Sequence, residues 1–464
     1  MPGERPNLLF IMTDHQRADS LGMTQAHVEV TPNLTLLASR GARFTRAYTT
    51  CPLCVPARTA LATGRYPTRN GVVYNDWNGQ RAGDHKPLHQ VLAEAGYEVV
   101  HVGVHHIRVR PVLEERVPFA RWVDNDDYAR YLDEKGMDGQ PTEGREAFRT
   151  GVIERQGDGF VPARYSNTRT TVWPYPAEHF RDSYFCRQGI QYLEGRRTQR
   201  PFALFTYLWA PHPPLWVPEP YASLFPPEQI DLPANVAMIA DGEPSGRRRG
   251  ISAQLAEGVS MEEWGKVWAA HLGLVRLADT EIGRLLSALE ACGYADNTVV
   301  VFTTDHGDHL GQHRMYQKME MYEQAVRVPL IVRVPGAAPQ RCDVPVSHLS
   351  VLPTLLDVMG LGRPDDLDGA SLAETIMSGA QPGGRPVFCQ YSGNPTVGDI
   401  RRTVISDRYK YTHTPGEVSE LYDLERDPLE MRNLGLDPAY APIARELHRL
   451  CASWAESHGD WVAF

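Results

Sequence analysis

The sequence is poor in cysteine and has no long apolar run, and these shortages exclude several classes of protein. Its seven cysteines are odd in number and scattered, with no spacing typical of a zinc site or a disulfide framework. No run approaches the roughly 18 apolar residues of a membrane-spanning helix, so no membrane association is expected. The N-terminus shows none of the basic, apolar and small-residue segments of a secretory signal. We therefore expect reduced thiols and a cytoplasmic protein.

Basic residues are in the minority, with 47 lysines and arginines against 57 acidic residues. This balance argues against nonspecific nucleic-acid binding, although a local cationic pocket remains compatible with it. The 42% hydrophobic and 22% charged content is typical of a globular protein, and there is no internal repeat or low-complexity tract. A chain of 464 residues exceeds one small core, so we expect one large domain and a smaller one.

Short apolar runs alternate with helical patterns along most of the chain. The longest helical pattern covers residues 268–289, where apolar residues recur at helical spacing. Alternation of this kind predicts an α/β fold with a mostly parallel sheet flanked by helices. The runs predicted to be buried strands are 8–12, 98–104, 202–209, 298–303 and 329–334.

Two domains and one insertion are predicted from the pattern. Residues 1–368 form the larger domain, and residues of about 107–180, rich in charges, prolines and aromatics, form an insertion in it. Residues 235–258, with three consecutive arginines, are predicted to be a solvated loop. Residues 369–464 form a smaller α+β unit, with antiparallel strands at 386–391, 403–405 and 409–412 and a closing helix at 441–458.

Polar residues follow four of the predicted strands. Asp14, His106, His212 and Asp305 come after the first, second, third and fourth strand. Functional residues of such folds gather beyond the carboxyl ends of parallel strands, so these four are expected to converge. Asp305 is followed by His306, and an adjacent carboxylate and imidazole can both face one cation. The alternative is that the two aspartates only cap helices.

A second group of candidates begins at Cys54, which is followed by Pro56, by Arg58 and by an Ala/Leu-rich helical run. Arg58 lies one helical turn after Cys54 and can share its face. A buried structural cysteine is the common alternative, and a redox pair with Cys51 is another.

This cysteine segment resembles the signature of the sulfatase family, and other segments support the likeness. They are 303–309, 311–318, 210–214 and the C-terminal run 420–434. The resemblance is to the arylsulfatase and phosphonate monoester hydrolase branch of the alkaline phosphatase superfamily. It implies an alkaline-phosphatase-like α/β fold and makes the larger domain catalytic. It also implies that a formylglycine-generating enzyme oxidises Cys54 to formylglycine.

The resemblance implies a metal centre beside the modified cysteine. Asp14, Asp305 and His306, with an oxygen of modified Cys54, would hold one divalent cation, either manganese or calcium. Arg58 would stabilise the hydrated aldehyde. In the same way Lys318 would grip the sulfuryl or phosphoryl oxygens of the substrate.

The remaining implied roles concern proton transfer and substrate binding. His212 would contact or protonate the leaving oxygen, and His106 would act as the base. Val104 stands where many sulfatases have a lysine, and His105 is a candidate substitute in substrate binding. Asn75, in the segment Tyr74-Asn75-Asp76-Trp77, resembles a substrate-contacting asparagine, although it is equally typical of a turn.

These implications together predict a metal-dependent hydrolase of sulfate monoesters. The first alternative is hydrolysis of phosphonate monoesters or phosphodiesters at the same site, favoured by the missing lysine. The second is a non-catalytic binding protein in which Cys54 stays unmodified. The expected partners are a small sulfate or phosphonate ester and the modifying enzyme, with neither nucleic acid nor membrane. Related enzymes often assemble through C-terminal and inserted segments, so a homo-oligomer is compatible with the resemblance.

Overall fold

The computed structural model describes residues 5–75, 81–83 and 85–464. The strands in this part of the chain are β1 (Asn7–Thr13), β2 (Thr24–Gln25), β3 (Val28–Glu29), β4 (Ala42–Tyr48), β5 (Glu98–Gly103), β6 (Arg121–Val123), β7 (Arg149–Gln156), β8 (Gly159–Ser166), β9 (Thr170–Trp173), β10 (Phe202–Tyr207), β11 (Leu215–Pro218), β12 (Thr298–Thr304), β13 (Arg327–Arg333), β14 (Gln340–Cys342), β15 (Val346–Ser347), β16 (Val387–Tyr391), β17 (Arg401–Ile405), β18 (Tyr409–His413) and β19 (Glu420–Asp423). The α-helices are α1 (Pro32–Ser39), α2 (Cys54–Thr63), α3 (Pro67–Asn70), α4 (Leu88–Glu94), α5 (Leu113–Arg116), α6 (Asn125–Glu134), α7 (Arg181–Gly195), α8 (Ile251–Leu255), α9 (Met261–Ala291), α10 (Glu323–Val326), α11 (Val351–Val358), α12 (Ala373–Ser378) and α13 (Ala441–Ser457).

A nine-stranded sheet forms the centre of the molecule. Its strand order is β14-β4-β13-β12-β1-β10-β5-β6, with β15 also paired to β4. The pairs that join β12, β1, β10, β5 and β6 are all parallel, whereas β13 runs antiparallel to both of its neighbours. The predicted α/β class with a mostly parallel sheet is therefore confirmed.

Both faces of this sheet are covered, which explains why its strands are apolar throughout. Leu9 and Ile11 of β1 face one hydrophobic cluster, to which α1, α7 and α9 contribute side chains. Leu8 and Phe10 face the opposite cluster, with side chains from α4 and α11. Because successive side chains of a strand point to opposite faces, a strand buried on both sides needs apolar residues at every position.

All five apolar runs predicted as strands form strands of the central sheet, and the predicted long helix is α9. The strands of the central sheet that the sequence prediction missed are β4, β6, β14 and β15, which lie toward its two edges. β4 mixes arginines with apolar residues, and its burial alternates accordingly. Such strands are short or half-exposed, so the apolar run that marks a central strand is missing from them.

The predicted insertion carries its own ordered elements. β6 adds the last strand to one edge of the central sheet, and β7 and β8 form an antiparallel hairpin. The prediction of a solvated loop at residues 235–258 is wrong at Arg247, which is buried and pairs with Glu320 and Glu420, whereas Arg249 is exposed. In the described residues, no helix combines the length and hydropathy of a membrane span.

The C-terminal unit contains the antiparallel sheet and the closing helix that the sequence predicts. β16, β17, β18 and β19 follow one another in a meander, and α13 packs against it around Val404, Tyr411 and Leu447. The backbone N–H of Gln390 donates to the carbonyl oxygen of Thr50, so β16 adjoins the segment that leads to Cys54. The boundary near residue 369 stays a prediction.

Candidate active site

Four adjacent parallel strands end at one edge of the central sheet and bring the predicted residues together. β12, β1, β10 and β5 are neighbours in that order. Asp305 and Asp14 follow the first two directly, and α2 starts at the same edge. Ligand atoms of Asp14, Cys54, Asp305 and His306 all lie within 4.8 Å of one another. The predicted convergence of these distant chain positions is confirmed.

Helix α2 begins at Cys54 for identifiable local reasons. Pro56 is its third residue, in the first turn, where a backbone N–H has no intrahelical acceptor. Asn75 Oδ1 accepts a hydrogen bond of 3.0 Å from the backbone N–H of Val55, which satisfies another of these groups. The helix ends at Gly64, whose φ of 68° is left-handed. Asn75 therefore orients the cysteine helix, while Asp76 and Trp77 lie outside the described residues.

Cys54 is buried among charged groups. Its Sγ lies 2.6 Å from Lys318 Nζ, 3.3 Å from His306 Nε2 and 3.7 Å from Asp14 Oδ1. Burial and the nearby carboxylate of Asp14 raise the pKa of this thiol above its usual value, although Lys318 opposes the shift. Because the thiolate is the reactive form of cysteine, an unmodified Cys54 would be a poor nucleophile here.

Arg58 connects the two acids of the site. Its Nε donates to Asp305 Oδ2 and its Nη2 donates to Asp14 Oδ2, each over 2.7 Å. A third bond goes to the carbonyl oxygen of Val104, and the side chain of Arg58 is only 1% exposed. Arg58 therefore sets the orientation of both carboxylates, and in the described part of the chain no hydrogen bond joins it to Cys54 directly.

The two carboxylates respond differently to their common surroundings. Burial and the negative charge of Asp305 raise the pKa of Asp14 to about 7, against the opposing influence of Arg58. Burial, the largest influence, also disfavours ionisation of Asp305, but Arg58, His306 and Lys318 together outweigh it and hold the pKa of this carboxyl well below its usual value. The buried carboxylates of Asp14 and Asp305, which share Arg58, repel each other when both are ionised. A further cation would therefore stabilise the pair.

The donor set fits a divalent cation. His306 Nδ1 lies 3.0 Å from the carbonyl oxygen of Gly307, which can only accept, so this nitrogen carries the proton. Nε2 then presents its lone pair toward Cys54 and lies 3.5 Å from Asp305 Oδ2. Burial lowers the pKa of His306 to about 3, so the imidazole is neutral, as a metal ligand must be. Two carboxylates and one neutral imidazole are donors that divalent cations accept.

Gly307 is required here by a close approach of two backbone segments. An added Cβ atom would lie 2.0 Å from the carbonyl oxygen of Gln324. The N–H of Gly307 donates to the carbonyl oxygen of Ala325 over 2.9 Å, which holds the two segments together. Gly307 does not have a left-handed φ, so lack of a side chain, rather than conformational freedom, makes glycine necessary.

The sequence prediction missed His15 and Asp308. Nζ of Lys318 donates to His15 Nε2 over 2.8 Å, and His15 Nδ1 lies 2.7 Å from Asp308 Oδ2. The imidazole therefore carries its proton on Nδ1 and connects Lys318 to Asp308, which fixes the lysine beside Cys54. Both residues adjoin predicted ligands in the sequence, next to Asp14 and close after His306, and this proximity was the available signal.

The turn after β10 positions His212. Asp182 Oδ1 of α7 accepts hydrogen bonds from the backbone N–H groups of Trp209 and Ala210, over 2.8 and 3.0 Å. The Trp209 ring then lies 4.2 Å from the ring of His212, centre to centre. Nδ1 of His212 is hydrogen-bonded to the carbonyl oxygen of Pro213, so in the neutral ring Nε2 carries the lone pair.

His106 lies near His212, whereas His105 points elsewhere. Burial lowers the pKa of both His106 and His212 well below the usual value, so both rings are neutral. The ring of His105 packs against Trp122, and its Nε2 lies 3.8 Å from Glu114 Oε1. These contacts do not support the predicted role of His105 in substrate binding, and we leave it out of the site.

A cavity of about 680 Å³ opens over Cys54. The β7–β8 hairpin of the insertion forms one wall, and the C-terminal unit contributes to the rim. The substrate pocket is therefore built by segments that are far apart in the chain. Its lining includes Cys54, Asn75, His106, Arg145, Trp209, His212, Lys318 and Asn394.

Comparison with known proteins gives consistent matches over nearly the whole chain. A model of the sulfatase family matches residues 6–361, and a model described as N-sulphoglucosamine sulphohydrolase, C-terminal, matches residues 311–456. The chain is 30% identical to the multifunctional alkaline phosphatase superfamily protein PehA of Trinickia caryophylli, over 98% of this chain and 96% of that protein. It is 26% identical to an arylsulfatase of Clostridium perfringens, over 93% and 90% of the two chains. Among solved structures, the phosphonate monoester hydrolase of Agrobacterium radiobacter is similar, with a TM-score of 0.78, 25% identity, and coverage of 98% and 96%.

Proposed function

This chain belongs to the sulfatase family of hydrolases, and we propose that it cleaves a sulfate monoester with a formylglycine formed from Cys54. One observation carries the proposal. Cys54 Sγ, which stands in for the formylglycine oxygen, lies 2.6 Å from Lys318 Nζ and within reach of His306 and Asp14. A group attacking from this position is surrounded by the cations and acids that ester cleavage requires.

The modification gives residue 54 a reactivity that the buried thiol does not have. Hydrated formylglycine supplies one hydroxyl that attacks the ester and a second whose deprotonation releases the product anion. A formylglycine-generating enzyme is the proposed partner for this conversion. The proposal is supported by the raised pKa of the Cys54 thiol, which leaves the unmodified residue unreactive.

Asp14, Asp305 and His306 are the proposed ligands of one divalent cation, manganese or calcium. When bound, such a cation lowers the pKa of a coordinated hydroxyl and offsets charge on substrate oxygens. The role of Arg58 follows from its contacts, because it donates to Oδ2 of both carboxylates and leaves Asp14 Oδ1 facing Cys54. Arg58 is thus proposed to position the ligands.

Lys318 is proposed to stabilise negative charge on the sulfuryl oxygens. Its ammonium group is buried, and nearby Cys54, Asp14 and Asp305 raise its pKa against the effect of burial, so it stays charged. The hydrogen bond to His15 keeps this charge aimed at residue 54. A donor held in place before the reaction stabilises developing charge without reorganisation.

The two neutral histidines are proposed to move protons. His212 lies on the leaving-group side, and its Nε2 has to gain a proton before it can protonate a departing oxygen, because Nδ1 is bonded to Pro213. His106 lines the same cavity in the neutral form and can accept a proton from the second hydroxyl of residue 54.

Hydrolysis of phosphonate monoesters or phosphodiesters is the second candidate. Val104 occupies the position of a family lysine, so one cation is missing from the pocket. Sulfate monoesters, phosphonate monoesters and phosphodiesters all carry one negative charge at the reacting centre. A pocket with fewer cations therefore suits these esters better than it suits a phosphate monoester. The similarity to a phosphonate monoester hydrolase supports this candidate.

The test begins with protein co-expressed with a formylglycine-generating enzyme. Mass spectrometry of the Cys54 peptide should show the aldehyde, and rates with manganese and with calcium should then be compared for an aryl sulfate, a phosphate monoester, a phosphodiester and a phosphonate monoester. We expect the aryl sulfate to have the highest kcat/KM and the Cys54→Ala variant to be inactive. A preference for the phosphodiester or phosphonate would establish the second candidate. An unmodified thiol would favour a non-catalytic binding protein.

A further inference from the structure

A second cavity adjoins the pocket over Cys54 on the side of His212. Its volume is about 240 Å³, which exceeds the about 150 Å³ cavity known to hold benzene. His106, Trp209 and His212 belong to the linings of both cavities, so the two spaces meet at these residues. We call the smaller cavity the aromatic lobe. Because His212 is assigned to the leaving oxygen, the leaving alcohol would enter this lobe, and the inference therefore rests on the proposed function.

Aromatic rings dominate the walls of the aromatic lobe. Trp173 and Phe180 come from the insertion and contact each other edge to face, with ring centres 5.2 Å apart. Trp209 follows β10 and lies beside His212. Flat apolar walls around a space of this size favour a single ring over a branched or extended chain. The remaining aromatic lining residues are Tyr128 and Trp216.

Two arginines give the aromatic lobe a positive charge that its lining does not neutralise. Arg181, the first residue of α7, places its guanidinium 4.9 Å from the ring centre of Trp209 and 5.6 Å from that of Tyr128. In the described part of the chain, no group accepts a hydrogen bond from Arg181 or from Arg145, which lies where the two cavities meet. No described lining residue of the lobe is an aspartate or a glutamate.

Arg181 and Arg145 keep hydrogen-bond donors available for a ligand. The neighbouring acid, Asp182, uses Oδ1 to accept hydrogen bonds from the backbone of Trp209 and Ala210. Arg181 is partly buried and Arg145 is exposed, so both side chains keep contact with solvent. Ring contacts stabilise a guanidinium by less than a hydrogen-bonded anion does, so an anion brought by the substrate would strengthen the site.

We propose that the aromatic lobe binds the leaving group, and that Arg181 selects a ring-bearing alcohol with an anionic substituent such as a carboxylate. The rings hold the body of the leaving group, and the guanidinium of Arg181 pairs with its charge. Arg145 adds attraction at the junction of the two cavities. Arg181 is thereby a specificity-determining residue for the ester that this chain cleaves.

Matched substrates test this proposal. The anionic members are 3- and 4-carboxyphenyl esters, and the neutral members are the corresponding carbamoylphenyl esters, which are similar in size. The carbamoyl group withdraws electrons more strongly, so intrinsic reactivity favours the neutral members and a preference for the anionic ones has to come from binding. Each pair is made as the sulfate and as the phenylphosphonate. For the wild type we expect kcat/KM about tenfold or more higher for at least one carboxyphenyl ester than for its neutral match, as a charge-assisted hydrogen bond would give.

The variants isolate the guanidinium. Arg181→Gln should abolish the preference, because it lowers kcat/KM for the carboxyphenyl esters about tenfold more than for the neutral esters. Arg187→Gln is the matched control, because Arg187 lies on the same helix over the rings of Tyr131 and Tyr184 but lines neither cavity. It should leave the preference unchanged. A preference that survives Arg181→Gln, or is absent from the wild type, overturns the proposal.

A binding measurement separates this proposal from the proposed function. Calorimetry with 3- and 4-hydroxybenzoate, and with the matching hydroxybenzamides, is done on the Cys54→Ala chain, which needs no hydrolysis. We expect at least one hydroxybenzoate to bind about tenfold more tightly than its amide, and Arg181→Gln to remove this difference. Equal affinities overturn the lobe assignment even if the ester is cleaved. If Arg181→Gln does not fold, Arg145→Gln should reduce the difference severalfold, and an unchanged difference then counts against the proposal.

Discussion

Replacing Arg58 by methionine should couple the stability of this protein to divalent cations. The change removes a buried guanidinium that donates to both Asp14 and Asp305 over 2.7 Å. Methionine retains much of the side-chain length and occupies part of the space. What disappears is the positive charge between two carboxylates that are themselves 0% and 1% exposed.

The magnitude follows from the burial of all three groups. Removing one partner of a buried ion pair costs about 3–5 kcal/mol, because the remaining charge is left uncompensated. Unfolding entropy is about 2.1 cal/mol/K per residue, which over 464 residues is about 1 kcal/mol/K for cooperative unfolding of the whole chain. In the presence of a chelator, the Tm of Arg58→Met should therefore lie about 3–5 °C below that of the wild type.

Added manganese or calcium should shrink this difference. A cation bound by Asp14, Asp305 and His306 offsets the charge that Arg58 no longer neutralises, so it stabilises the variant more than the wild type. Differential scanning fluorimetry over a cation titration measures both effects. A Tm difference that is the same with chelator and with saturating cation would refute the assignment of these carboxylates as ligands.

A second buried arginine provides the control. Arg402 of β17 is fully buried, pairs with Asp460 and donates to the carbonyl oxygen of Tyr391. Arg402→Met should destabilise the protein by a similar amount, since it also leaves a buried carboxylate unpaired. Its Tm deficit should not depend on the cation, because this pair lies in the C-terminal unit away from the proposed ligands.

Three further predictions concern the support of the site. Gly307→Ala should lower the Tm by about 1–3 °C, because overpacking costs about 1–3 kcal/mol. The control is Gly195→Ala, which has open space at its Cβ position and should be neutral or slightly stabilising. Burial raises the pKa of Asp182 from 3.8 to about 6, so its contribution to stability is present at lower pH and is lost as pH rises through about 6. Asp182→Asn should remove this part of the Tm-versus-pH profile. An unchanged profile would contradict the raised pKa of Asp182. His15→Leu should lower kcat about tenfold or more with little change in KM, because Lys318 loses the acceptor that orients it. Steady-state kinetics that show an unchanged kcat would count against this role.

The sequence was sufficient to predict the α/β class and the position of the site. Apolar runs predicted the five central strands, because strands buried on both faces need apolar residues at every position. Asp14 and Asp305 directly follow two of those runs, and parallel neighbours end at the same edge. Convergence of these acids therefore followed from local pattern and a general rule of sheet topology.

Other features depend on contacts that no local pattern encodes. Arg58 lies one turn after Cys54, yet its hydrogen-bond partners come from two strands that lie 44 and 247 residues away in the chain. His15 contacts Lys318 across 303 residues, and the aromatic lobe joins an insertion to a turn after β10. Periodicity reports which face of an element is buried, whereas the partner on that face is decided by how the elements pack. For this reason the sequence alone was sufficient to predict which strand ends carry the candidate residues, and only the tertiary structure decided which side chains hold Lys318 and line the aromatic lobe.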